Sequence, residues 1–117
     1  MSPRGAKPGD WNAQPMPEHH ARLAYQRSFG TAEMAKLREG FTPADNEDKW
    51  FVVFTDDALW FHRAWTGSCI YRVGFEERLE RHFVTEVLVN RDPAQYRNAD
   101  DAADVRTLDA LLDSLVR

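Results

Sequence analysis

The sequence predicts an α+β domain: a four-stranded antiparallel meander with an N-terminal and a C-terminal helix packed on one face. Three observations predict it. Residues 49–90 hold four runs rich in β-branched and aromatic side chains, which suit a pleated surface. The links between those runs are a few polar residues each, too short for parallel crossovers. Residues 100–117 then carry leucines and valines at helical spacing.

The elements follow in chain order. Residues 1–17, MSPRGAKPGDWNAQPMP, hold four of the six prolines and two of the six glycines. Proline lacks an amide hydrogen, so the segment supports neither helix nor ladder and reads as a flexible or strap-like arm. Trp11 is its one large apolar side chain. Residues 18–29 suggest a short helix with Leu23 and Phe29 as apolar contacts. Thr31–Glu39 reads as a helix, with Met34 and Leu37 three apart and Gly40 as its stop. Thr42 to Asp48 is a polar turn segment. The strands are expected at 49–54, 58–65, 69–76 and 83–90, with turns at Thr55–Asp57 and Thr66–Ser68 and a polar link at 78–82. Asp92-Pro93 ends the last strand. In the final helix Val105, Leu108, Leu111, Leu112, Leu115 and Val116 form one stripe, and aspartates crowd its first turns, where the helix dipole favours them. Residues 18–117 therefore form a single domain behind the arm.

Composition narrows the function. The 117 residues carry 15 Lys and Arg against 19 Asp and Glu, a net charge of −4, which argues against general binding to a nucleic-acid backbone. No apolar run approaches the roughly 20 residues of a membrane span. No secretory signal pattern opens the chain, so a cytoplasmic location is expected. One cysteine, Cys69, excludes an internal disulfide and a cysteine-based zinc site, and no metal site or cofactor is expected.

Alternation along the strands groups the chemistry. Tyr71, Val73, Phe75, Phe83, Val87 and Val89 make an apolar floor for the helices, with Trp60, His62 and Ala64. The other face is expected to carry Arg63, Arg72 and Glu86 among Phe61, Trp65, Ile70 and Leu88. Guanidinium groups fork onto phosphates and carboxylates and stack on rings, so Arg63 and Arg72 with Trp65 point to a flat anionic ligand. A plain cross-strand ion-pair ladder is the alternative. Asp48, Lys49, Asn90 and Arg91 would rim such a pocket, and Thr66 sits at a hairpin tip whose amides are expected to be able to meet an anion. His62 is the one candidate for acid–base catalysis, paired with Asp48 or Glu86; facing the helices it reads instead as a buried, hydrogen-bonded core histidine. Cys69 reads as a structural thiol.

The motifs DNEDKWF (45–51), HRAWTG (62–67), CIY (69–71) and NRDPAQY (90–96), followed by a leucine-rich helix, resemble a group of small bacterial proteins. Some members of that group carry the label ADP-ribosyl-(dinitrogen reductase) hydrolase. Ala64 departs from the group's pattern, where serine is usual. The chain lacks the many spaced aspartates that hydrolases of that name use for two magnesium ions on an all-helical scaffold. The resemblance therefore implies ADP-ribose or nucleotide ligands rather than that reaction. The expected function is binding of an anionic, nucleotide-like ligand; the alternative is a protein-interaction or regulatory module without catalysis.

Overall fold

The computed structural model describes Gly9, residues 11–44 and residues 48–117. Its elements are β1 (His20–Leu23), β2 (Ser28–Phe29), α1 (Thr31–Glu39), β3 (Trp50–Thr55), β4 (Ala58–Arg63), β5 (Cys69–Arg78), β6 (Arg81–Asn90) and α2 (Asp101–Val116). The sheet is antiparallel and runs β1-β6-β5-β4-β3, with β2 also paired to β6. The expected meander is present as β3 to β6. The sheet has six strands rather than four, because the free edge of β6 takes up β1 and β2. Residues 18–29 are thus not a helix. Leu23 and Phe29 reach the core from strands, and Arg22 pairs with Glu86 at 2.7 Å.

Two hairpins close with two-residue turns at positive φ, Asp56-Asp57 (56° and 59°) and Leu79-Glu80 (52° and 63°). Mirror-image turns of this kind match the twist of the flanking strands. The expected polar link at 78–82 is therefore the tip of a long hairpin, and β6 begins at Arg81.

Met34 and Leu37 of α1 share one buried core with Leu108 and Leu112 of α2 and with Val52, Leu59, Phe61, Tyr71, Val73, Val87 and Val89 of the sheet. α1 is entered through Gly30, whose amide donates to Glu33 Oε1 at 3.1 Å. α2 is entered through Asp100, whose carboxylate accepts from the amides of Ala102 and Ala103 at 3.0 and 3.2 Å. Side-chain capping of this kind satisfies amides that the first turn leaves unpaired.

Two β-bulges decide which side chains share a face. β4 and β5 pair His62 with Cys69 but Phe61 with Tyr71, so Ile70 is an extra residue. β5 and β6 pair Gly74 with Glu86 but Phe75 with Val84, so Thr85 is extra. One extra residue moves every later side chain to the other face. Without the bulge at Ile70, Phe61 would oppose Ile70 and Arg63 would share a face with Arg72. With it, Phe61 joins Tyr71 over the helices, and Arg72 opposes Trp60. At Thr85 the same effect puts Val84 in the core in place of Phe83.

Among the described residues, no helix is long and apolar enough to cross a membrane.

Candidate functional site

In an antiparallel meander, alternate strand ends meet. β3 begins, β4 ends, β5 begins and β6 ends at one end of this sheet, and most of the chemically notable side chains gather there. Asp48 and Lys49 precede β3, Arg63 closes β4, Trp65 and Thr66 form the following turn, and Asn90 and Arg91 leave β6. Arg72 does not join them.

Arg63 lies on the helix side, opposite Trp50 in the β3–β4 ladder. Its guanidinium sits over the Trp50 ring at 4.8 Å and over the Tyr96 ring at 5.8 Å. Trp50 is in turn stacked on Tyr71, centroids 6.0 Å apart, and meets Phe61 edge-on at 6.3 Å. Among the described residues, no carboxylate lies within ion-pair distance of Arg63. A cation held on aromatic faces keeps its N–H fork free for an oxyanion.

Arg72 lies on the opposite face, 5.1 Å over the Trp60 ring. Its Nη1 is 3.3 Å from Glu86 Oε1, and Arg22 holds the other Glu86 oxygen at 2.7 Å. The expectation that Arg63 and Arg72 project together is thereby overturned by the Ile70 bulge. Arg22, Glu86 and Arg72 form the cross-strand ladder. Trp65 belongs to neither face; it stands in the turn, 65 % exposed.

Asn90 and Arg91 are turned inward. Asn90 is fully buried, donating to Cys69 O and to Gln95 Oε1, each at 2.8 Å, while its Oδ1 accepts from the Asp92 amide. Arg91 ties the end of β6 to the start of α2: it contacts Asp101, donates to Asn98 O at 3.0 Å, and meets Asp104 Oδ2 at 2.8 Å. Asp104 is fully buried and also accepts from the Tyr71 hydroxyl at 2.6 Å and from the Tyr96 hydroxyl. Burial alone would raise its pKa, but the donors Tyr71, Tyr96, Arg91 and Asn98 outweigh it and hold the carboxyl below the usual range. Burial and the same hydrogen bond push the Tyr71 phenol well above its ordinary value. This network fixes the Tyr96 ring on which Arg63 rests. Asn90 and Arg91 therefore clasp the strand end and the start of α2 instead of rimming a pocket.

Sequence reading missed three of these groups as site components: Trp50, Tyr71 and Asp104. Asp104 sits where a dipole-favoured first-turn aspartate is ordinary, and only its complete burial distinguishes it from Asp101.

Asp48 and Lys49 line a groove of about 270 Å³ between the start of β3 and α2, with Trp50, Phe61, Leu111 and Ser114 among its walls. Asp48 Oδ2 accepts from the Ala44 amide at 2.6 Å, so this carboxylate also shapes the loop before β3. Asp45, Asn46 and Glu47 lie outside the described residues, as do residues 1–8 and 10 of the arm.

The described part of the arm is strapped across the β4–β5 turn. Trp11 Nε1 donates to Ala64 O at 2.7 Å, Asn12 Nδ2 to Thr66 O at 3.1 Å, and the Gln14 amide to Gly67 O at 2.7 Å. Thr66 Oγ1 accepts from the Ser68 amide at 3.2 Å. Gly67 has φ of 81°, and a Cβ there would meet the Asn12 side chain at 2.7 Å.

His62 is buried on the face away from the helices, against Phe51, with Nδ1 unpartnered among the described residues. It was expected on the helix side; the shift between Phe61 and His62 accounts for the difference. Burial lowers its pKa, opposed by backbone groups of Gln14 and Phe51. Neither proposed carboxylate partner is paired with it: Asp48 holds the Ala44 amide and Glu86 holds two arginines. Cys69 is buried, and burial raises its thiol pKa to about 12, Arg72 opposing. Among the described residues, no cluster of three or more His, Cys, Asp or Glu side chains is arranged to hold a metal ion.

No protein-family model, curated protein or solved structure matches the chain.

Proposed function

We propose that this domain binds a small anionic ligand bearing a planar ring, nucleotide-like in kind and of the ADP-ribose or NAD class. The observation that carries the reading is Arg63: a guanidinium resting on two aromatic rings, with no carboxylate pairing it among the described residues. Lys49 adds a second positive charge at the start of the neighbouring strand. The site lies on the helix side of one sheet end, not on the opposite face. Its backing is stiff, since Tyr71, Tyr96 and Arg91 converge on one buried carboxylate. A preorganised cation loses little freedom when it takes up an anion.

Calorimetric titration with ADP-ribose, NAD and mononucleotides tests the reading. Saturable binding is expected, with a loss of at least about tenfold in Arg63→Ala, the scale of one charge-assisted hydrogen bond. A folded protein that binds none of these ligands refutes it.

A second reading, a protein-interaction module, is favoured by exposed apolar side chains: Trp65 at 65 % and Leu79 at 97 %. Affinity capture with wild type and with Trp65→Ala tests it. A stoichiometric partner that wild type retains and the variant loses is the expected result.

A further inference from the structure

We infer that the groove between β3 and α2 holds the ring of the ligand, so that the ligand is of mononucleotide size: one ring system joined closely to one anionic group. This rests on the anion-binding reading of Arg63 and goes beyond it in assigning the apolar half of the ligand.

Trp50 connects the two halves. Its ring carries the Arg63 guanidinium, and the same side chain lines the groove. An anion on Arg63 and a ring in the groove would then both border Trp50, an arrangement that suits a ring and a phosphate linked through one sugar. Phe41, Val52, Leu111 and Leu115 supply apolar walls, and Lys49 puts a positive charge in the lining. Asp48 also lines the groove, its Oδ2 taken by the Ala44 amide, so the groove itself favours an apolar ring and the anion's partner is Arg63. Ser114 offers a hydroxyl to a ring heteroatom from the exposed side of α2. Size sets the limit. The groove's 270 Å³ falls just below the range of roughly 300–1,000 Å³ for small-molecule sites. It has room for one ring system and not for two, so the second half of a dinucleotide would stay in solvent.

The test compares adenosine 5′-monophosphate with ribose 5-phosphate, which has the anion without the ring. Both are titrated against wild type, Ser114→Trp, Leu111→Phe and Arg63→Ala. Ser114 is exposed, so filling the groove from that position leaves the core intact. The nucleotide is expected to bind wild type at least about tenfold tighter than the sugar phosphate, the gain from burying one ring. Ser114→Trp and Leu111→Phe are expected to erase that difference and leave ribose 5-phosphate unchanged. Arg63→Ala is expected to weaken both. Equal affinities in wild type, or a ring-dependent gain that survives both groove variants, overturn the inference. If that happens while both ligands still depend on Arg63, the anion site stands without the groove. Binding that ignores Arg63→Ala, or no binding of either ligand, sinks the inference together with the reading beneath it.

Discussion

Asp104→Ala is the substitution whose cost follows most directly from the structure. The carboxylate is fully buried and serves three groups: the Tyr71 hydroxyl at 2.6 Å, the Tyr96 hydroxyl, and Arg91 Nη1 at 2.8 Å. Removing it leaves the largely buried Arg91 without that partner, and the two phenols with each other at 3.3 Å and the Asn98 amide on the Tyr96 hydroxyl at 3.4 Å. Breaking one side of a buried ion pair costs about 3–5 kcal/mol. At about 4 °C per kcal/mol for a chain of this length, the expected fall in Tm is roughly 12–20 °C. Asp104→Asn keeps an acceptor for the phenols but turns an amide toward Arg91, and is expected to lose about 2 kcal/mol. Thermal and urea unfolding followed by circular dichroism measure both. A double-mutant cycle with Tyr71→Phe should show coupling above about 0.5 kcal/mol. A loss below about 1 kcal/mol for Asp104→Ala, or strict additivity with Tyr71→Phe, would refute the claim that this carboxylate locks α2 to the sheet.

Four further outcomes are expected. Because the folded-state pKa of Asp104 lies below its unfolded value, its contribution is present above the unfolded pKa and lost as pH falls through the folded one; acid unfolding profiles of wild type and Asp104→Asn should differ below about pH 4. His62 is a base whose pKa burial lowers from 6.5, so the unfolded chain binds a proton that the folded one refuses, and stability should decline as pH drops below that value; His62→Gln should flatten this part of the profile. Gly67→Ala forces a Cβ into Asn12 at a φ of 81°, and should cost about 1–2 kcal/mol and make the bond after Trp11 more accessible to limited proteolysis. Leu79→Asn with Glu80→Gly relieves two residues at positive φ in an exposed turn and should raise stability by about 1 kcal/mol, read as a higher Tm.

The meander, both helices and the Leu-rich stripe were legible because their signals are local: β-branched runs, short polar turns, and a 3.6-residue period. β1 and β2 were not, since four- and two-residue strands carry too little pattern and exist because β6 offers them an edge. The grouping of the candidate site's residues was not legible. Asp48, Lys49, Arg63, Trp65, Thr66, Asn90 and Arg91 lie at one end of the sheet. Their faces depended on whether Ile70 is paired, and nothing in CIYRV distinguishes a bulged isoleucine from a paired one. That single residue separates Arg63 from Arg72, leaving Arg63 on the Trp50 and Tyr96 rings and Arg72 in an ion-pair ladder. Asn90 and Arg91 sit at a strand end, where ligand contacts and structural clasps look alike in sequence. The carboxylates that claim Arg91 lie 10 and 13 positions further on.

The most direct measurement is a two-dimensional ¹⁵N NMR titration with adenosine 5′-monophosphate, following the indole N–H of Trp50 and Trp60 and the Nε–H of Arg63 and Arg72. These side chains form matching cation–ring pairs on opposite faces of the sheet. Saturable shifts at Trp50 and Arg63, with Trp60 and Arg72 unmoved, are the predicted result. Shifts confined to Trp60 and Arg72, or none at either pair, would contradict it.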